Sequence, residues 1–189
     1  DRITCVVALL ACSILGEKMN EAKLNIGHVL HSDACKQGIV SDVSVCSALV
    51  SMYGRCGAVA DAEDVFCNSS QCSVVSWNSM MSVYVEQGQG EKALRLYRQI
   101  QEHDVNPDDL TIVLAIQACS ILAGKRDDFP TLNKGACFEI GQGLHAHASR
   151  NGFMSNIFIG TTLMSMYGKC GRLFEAEDVF VTMSQHNNV

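Results

Sequence analysis

The feature that most restricts this chain is that it repeats itself at a fixed distance. Ala48-Leu49-Val50-Ser51-Met52-Tyr53-Gly54-Arg55-Cys56-Gly57 returns, with conservative changes, at residues 162–171, and the block Ala62-Glu63-Asp64-Val65-Phe66 returns at Ala176–Phe180, in both cases 114 positions on. A second pair accompanies it: Ala11-Cys12-Ser13-Ile14-Leu15 matches Ala118-Cys119-Ser120-Ile121-Leu122. Each copy is followed by a Gly-x-x-Leu-His string, at Gly27–His31 and Gly141–His145. Self-similarity of this kind calls for an architecture of stacked, equivalent units and not for one irregular core.

The apolar spacing inside each unit is helical. Ala48, Leu49, Met52 and Tyr53 form one stripe, and after Gly54 and Gly57 a second stripe follows at Val59, Ala62, Val65 and Phe66. Between the two copies, Trp77, Met80, Met81 and Tyr84 precede Gly88 and Gly90, and Ala93, Leu94, Tyr97 and Ile100 come after. Each unit therefore reads as helix, glycine-containing turn, helix. No segment alternates as a strand would, and the chain has only 2 prolines in 189 residues, which suits long helices. A lone helix pair leaves one apolar face open, so the units must stack.

Composition narrows the function classes. The net charge is −6, from 14 Lys and Arg against 20 Asp and Glu, which argues against high-affinity binding driven by phosphate contacts while leaving room for a locally basic groove. No apolar run reaches the roughly 20 residues that span a bilayer, and no membrane or small-molecule partner is expected. The start, Asp1-Arg2-Ile3-Thr4, has neither signal-peptide nor transit-peptide character. The 10 cysteines include no Cys-x-x-Cys pair and several recur at equivalent repeat positions, so they read as small packing residues and not as zinc ligands. His145-Ala146-His147 lacks further ligands nearby, and His31 and His145 occupy equivalent positions, which favours packing. No phosphate-cradling loop, Gly-x-Ser-x-Gly or His-x-Glu with Pro-Cys-x-x-Cys is present. No enzyme activity, cofactor or metal is expected.

Those motifs resemble the pentatricopeptide repeat (PPR) family. Val74-Val75-Ser76-Trp77-Asn78-Ser79-Met80-Met81, closing at Val105-Asn106-Pro107-Asp108, is similar to its standard repeat. The Met-Tyr-Gly-Arg/Lys-Cys-Gly units resemble its short variant, and the Ala-Cys-Ser…Gly-x-x-Leu-His units its long variant, an order resembling the plant organellar subfamily. Phased on that resemblance, the units are 2–42 (long), 43–73 (short), 74–108 (standard), 109–156 (long) and 157–187 (short). The second long unit carries an inserted surface loop within 123–137. The implied fold is an all-α, right-handed superhelical α-solenoid forming a single array over 1–189.

The resemblance also implies a ligand. In that family each repeat meets about one base of single-stranded RNA, a mode in which repeats read bases one by one. The fifth and last residues of a repeat select the base, and the second packs on its faces. Carried over, Asn78 and Asp108 resemble a uracil reader with Val75 as the wedge. Thr161 and Asn187 resemble an adenine reader with Phe158 beside them, while Ser47 and Ser73 leave their base open. Val6 and Val113 hold the fifth position of the long units and cannot hydrogen-bond a base edge. Asp108, Asn156 and Asn187 each directly precede a helix, so N-capping is an equally available role. Trp77 and the tyrosines at 53, 84 and 167 read as core. The implied function is targeting of transcripts in a mitochondrion or plastid for processing or C-to-U editing, with other processing factors in trans. A protein-binding scaffold of tetratricopeptide type is the competing reading, favoured by the acidic charge.

Overall fold

A computed structural model describes residues 1–14, 21–69, 73–103, 105–124 and 134–186. Among these residues the chain forms ten α-helices and one 3-10 turn, with no strand. They run α1 (Arg2–Ile14), α2 (Glu21–Lys36), α3 (Val43–Arg55), α4 (Val59–Cys67), α5 (Val74–Glu86), α6 (Gly90–Glu102), α7 (Asp109–Gly124), α8 (Lys134–Arg150), α9 (Ile157–Lys169) and α10 (Leu173–His186). The expected loop at 123–137 is helical at both margins, where Ala123 and Cys137 are buried. Its middle, 125–133, lies outside the described residues, as do Asn187 and the end of the short unit that it closes.

Two compact units are present, Asp1–Gln87 and Gly88–Val189, and the division falls between α5 and α6. In the first unit α3 is central, packing on α1, α2, α4 and α5. Its sequence explains that position: Val45, Cys46, Ala48, Leu49, Val50, Met52 and Tyr53 are all buried, so apolar residues cover most of its circumference. A helix that is apolar nearly all round is stable only with neighbours on every side. In the second unit α7 is equally enclosed, with Ile112, Leu114, Ala115, Ile116, Ala118, Cys119 and Leu122 buried against α6, α8 and α9.

The helix ends are specified locally. Asp42, Ser73, Asp108 and Asn156 each accept a backbone N–H from the first turn of the helix that follows. Such caps satisfy donors that the helix itself leaves unpaired, and each contributes about 1 kcal/mol. The turn between α3 and α4 uses Gly57 at φ 74°, and Gly171 repeats that angle between α9 and α10. There the Ala58 N–H reaches Tyr53 O and the Arg172 N–H reaches Tyr167 O, both at 2.9 Å. This left-handed closure of a helix favours glycine because a Cβ would be strained there. Of the nine cysteines described, all are free thiols. Burial pushes Cys119 up to about 12, which keeps it a neutral packing group.

Candidate nucleic-acid interface

The residues expected to meet a ligand fall on the first helix of each pair: α1, α3, α5, α7 and α9. In the first unit α3 packs against both α1 and α5, and in the second α7 packs against α9. First helices thus stand side by side, and each position along them forms a row within its unit.

The second residue of these helices is a large apolar side chain left open to solvent in four of the five cases. Val75 is 53% exposed and Phe158 69%, and Ile3 and Leu110 are at least half exposed. Only α3 departs, with the exposed polar Ser44. Exposed apolar residues scattered singly need no explanation; the same repeat position open four times does. Sequence reasoning singled out Val75 and Phe158 and missed Ile3 and Leu110, although counting two residues into each first helix would have found them.

The fifth residues are less uniform. Thr161 is exposed, and its hydroxyl donates back to Ile157 O at 2.9 Å and Phe158 O at 3.1 Å. Asn78 is only 5% exposed. The Ser47 hydroxyl is enclosed with no hydrogen-bond partner, a state that disfavours the site as it stands and that an incoming acceptor would relieve. Val6 and Val113 are half-buried.

The residue preceding each first helix is a cap, so the sequence-level alternative of capping is realised at Asp108 and Asn156. The carboxylate of Asp108 accepts both the N–H and the hydroxyl of Thr111, at 2.8 and 2.7 Å. The Ser73 hydroxyl accepts from Ser76 N at 3.3 Å. Ser73 caps α5, which packs on the α3 helix that carries Ser47, so the expected pair sits on neighbouring elements. Asp42 and Asn156 do more than cap. Arg2 donates to Asp42 Oδ2 at 2.8 Å, and the Asn156 amide donates to Asp109 Oδ2 at 2.9 Å. In both long units the first residue of the first helix is therefore tied to the cap of the next first helix. The Arg2 hydrogen bond is the main cause of the lowered pKa of Asp42. Nothing in the apolar periodicity signals these ties.

Two further cations belong to this face of the first helices by position. Arg55 and Lys169 end α3 and α9 at equivalent sites and are exposed. The aromatic residues that could have formed a stacking platform are instead core: Trp77, Tyr53, Tyr84 and Tyr167 are all buried. Trp77 meets Phe66 edge-on, with ring centroids 5.0 Å apart at 74°. Among the described residues no cluster of three or more metal-ligating side chains occurs, and no helix is long and apolar enough to cross a membrane.

Comparison with known proteins gives consistent matches. The sequence pattern described as the PPR repeat family matches residues 73–120, and the PPR repeat pattern matches 44–70 and 161–188. A pentatricopeptide repeat-containing protein of Arabidopsis thaliana is 33% identical over 178 residues, covering 94% of this chain and 24% of the relative. A second from the same plant, described as chloroplastic, is 33% identical over 92% of this chain and 26% of its own length. A third, described as mitochondrial, is 32% identical over 89% of this chain and 15% of its own length. The chain spans about a quarter or less of the length of these relatives.

Proposed function

The chain belongs to the PPR repeat family, and from that premise we propose that it binds single-stranded RNA along its first helices, within units 2–42, 43–73, 74–108, 109–156 and 157–187. The observation that carries this reading is the recurrence of an exposed apolar residue at the second position of four first helices, Ile3 and Val75 in the first unit and Leu110 and Phe158 in the second. Base faces are flat and apolar, and a side chain held open beside a polar edge-reader suits one that packs on them.

In this reading Asn78 with Asp108 selects uracil, Thr161 with Asn187 selects adenine, and Ser47 with Ser73 selects a base that family resemblance leaves open. Capping and reading are compatible roles. The hydrogen bonds that fix Asp108 on the first turn of α7 hold its carboxylate in one orientation before any ligand arrives, which lowers the ordering cost of binding. Arg55 and Lys169 supply phosphate contacts. The acidic total keeps non-specific affinity low, so discrimination rests on base contacts. The segment targets and does not catalyse. We place it in a mitochondrion or plastid, as two relatives' descriptions suggest, where it directs transcript processing or C-to-U editing with other factors acting in trans.

The test is a specificity swap in an array containing this segment, titrated with short RNAs that vary at one base. Replacing Asn78→Thr together with Asp108→Asn keeps a good N-cap on α7 and should move preference at one position from uracil towards adenine, by about 10-fold for one well-placed pair of hydrogen bonds. Replacing Arg55 and Lys169 by Ala should weaken binding to all sequences alike and reduce the salt slope by about 0.7 for each lost phosphate contact. No RNA binding at low salt, or an unchanged base preference, removes this reading in favour of a protein-binding scaffold.

A further inference from the structure

In the second unit, α8, α9 and α10 line an open cleft of about 550 Å³ whose walls include His145, Tyr167, Phe174, Glu175 and Asp178. Its base is fixed. The Tyr167 ring is buried, and its hydroxyl lies 3.1 Å from His145 Nδ1. Glu175 and Asp178 stand three residues apart on α10 and so share a face. Neither carboxylate forms an ion pair among the described residues. Beside them Phe174 is 86% exposed, more open than any other large apolar residue described.

The matching positions of the earlier copy stay open even where a following helix is packed. The residues 114 positions earlier are Ala60, Asp61 and Asp64, on α4, which does have a following helix, α5, packed against it. There Phe66 is buried against Trp77, yet Ala60 and Asp64 remain exposed. The two copies also differ in chemistry at these positions. The earlier one has Ala60 where the later has Phe174, and His28 where the later has Gln142. The later copy thus adds an aromatic face to the pair of carboxylates that both copies carry.

We propose that the cleft between α8, α9 and α10 receives an arginine side chain presented by a partner protein, its guanidinium stacked on Phe174 and paired with Glu175 or Asp178. A planar guanidinium satisfies both features at once, giving cation–π contact through its face and forked hydrogen bonds through its edge, which an ammonium cannot do. The two carboxylates repel a phosphate chain, so the cleft selects against RNA. A linear polyamine has no flat face to lay on the ring. The lining residues from α8 and α10 belong to the second helices of their pairs, so this site is separate from the first-helix row and does not rest on the RNA reading.

The test uses the whole 189-residue chain, isotopically labelled, with amide resonances followed while a short neutral peptide bearing one arginine is added. Control peptides carry lysine or citrulline at that position. Saturable shifts centred on Phe174, Glu175 and Asp178 are expected, with affinity on the order of 1 mM for one isolated side chain. Lysine should bind more weakly, and citrulline, which keeps the shape and loses the charge, at least about 10-fold more weakly. Phe174→Ala, which installs the residue that the earlier copy already carries, should abolish the difference between arginine and lysine. Glu175→Gln with Asp178→Asn should abolish binding while the resonances of α1–α5 stay unchanged. Equal shifts with citrulline, shifts centred elsewhere, no shifts, or tighter binding of spermidine than of the arginine peptide would each overturn the proposal.

Discussion

The helices α1–α4 and α7–α10 are two copies of one pattern, and their agreements and differences separate what a repeat does alone from what its neighbour does for it. Much is the same. Both close a first helix with a left-handed glycine, Gly57 and Gly171. Both set a histidine against a buried tyrosine hydroxyl, at 3.0 Å for His31 and Tyr53 and 3.1 Å for His145 and Tyr167. Both seat a methionine on a second-helix glycine, Met52 on Gly27 and Met166 on Gly141, where a Cβ would collide with the thioether. Yet Phe66 is 9% exposed and its counterpart Phe180 is 60% exposed. The local sequence Ala-Glu-Asp-Val-Phe is identical at the two places, and at the earlier one Trp77 from α5 lies against Phe66. A repeat of this kind carries half of a core, and the next helix supplies the other half.

The comparison breaks most easily at Trp77. Trp77→Ala should cost about 3–5 kcal/mol in denaturant unfolding, the range for deleting a large buried aromatic. Phe66→Ala, which removes the ring that Trp77 meets, should cost a similar amount. A cost under about 1 kcal/mol for either substitution would show that this edge-on pair does not hold α4 against α5. A smaller effect tests the ties at the long units. Asn156→Ala should cost about 1 kcal/mol through loss of the α9 cap. Asn156→Asp, which preserves a good cap, should still destabilise because it sets a second carboxylate against Asp109. Asp42→Asn, facing Arg2, should be milder in a thermal melt than Asn156→Asp, and the reverse order would undo the assignment of these contacts.

The smallest effect is in pH. Burial holds His31, His145 and His147 below the ordinary 6.5, and His31 also feels the neighbouring charge of His28, with Asp61 opposing. The position matching His28 in the later copy is the uncharged Gln142, and there Asp178 opposes the shift of His145. A histidine kept neutral by folding binds fewer protons folded than unfolded, so stability falls as pH drops below about 6.5 and levels off below the folded pKa values. Thermal midpoints should therefore be lower at pH 5 than at pH 7.5. His31→Gln and His145→Gln should each flatten the profile, and a flat wild-type profile would contradict this account. Asp42 acts in a lower window. Its depressed pKa gives stability that is present above its ordinary 3.8 and is lost as pH falls through the folded value.

Most of the architecture was legible because it is written locally and twice. The stripes at Leu49, Met52 and Tyr53 and at Trp77, Met80 and Met81 are helical by spacing, and all six residues are buried. The glycines that end helices, and the Asp, Ser and Asn residues that start them, act within a few residues of their own position. The candidate site was legible only as positions. Sequence gives no sign that Asn78 is buried while Thr161 is open, since both are polar residues at the same point of a first helix. Nor does it predict that Asp42 pairs with Arg2, 40 residues away.

The sequence by itself determined the repeat, the helices, their caps and the family, because each depends on short-range chemistry or on similarity along the chain. The tertiary structure alone decided which copy of a residue is covered. It set Phe66 under Trp77, enclosed Asn78 while leaving Thr161 open, and joined Arg2 to Asp42 across 40 residues. Exposure depends on the helices packed around a residue, so equivalent positions of a repeat acquire different surfaces.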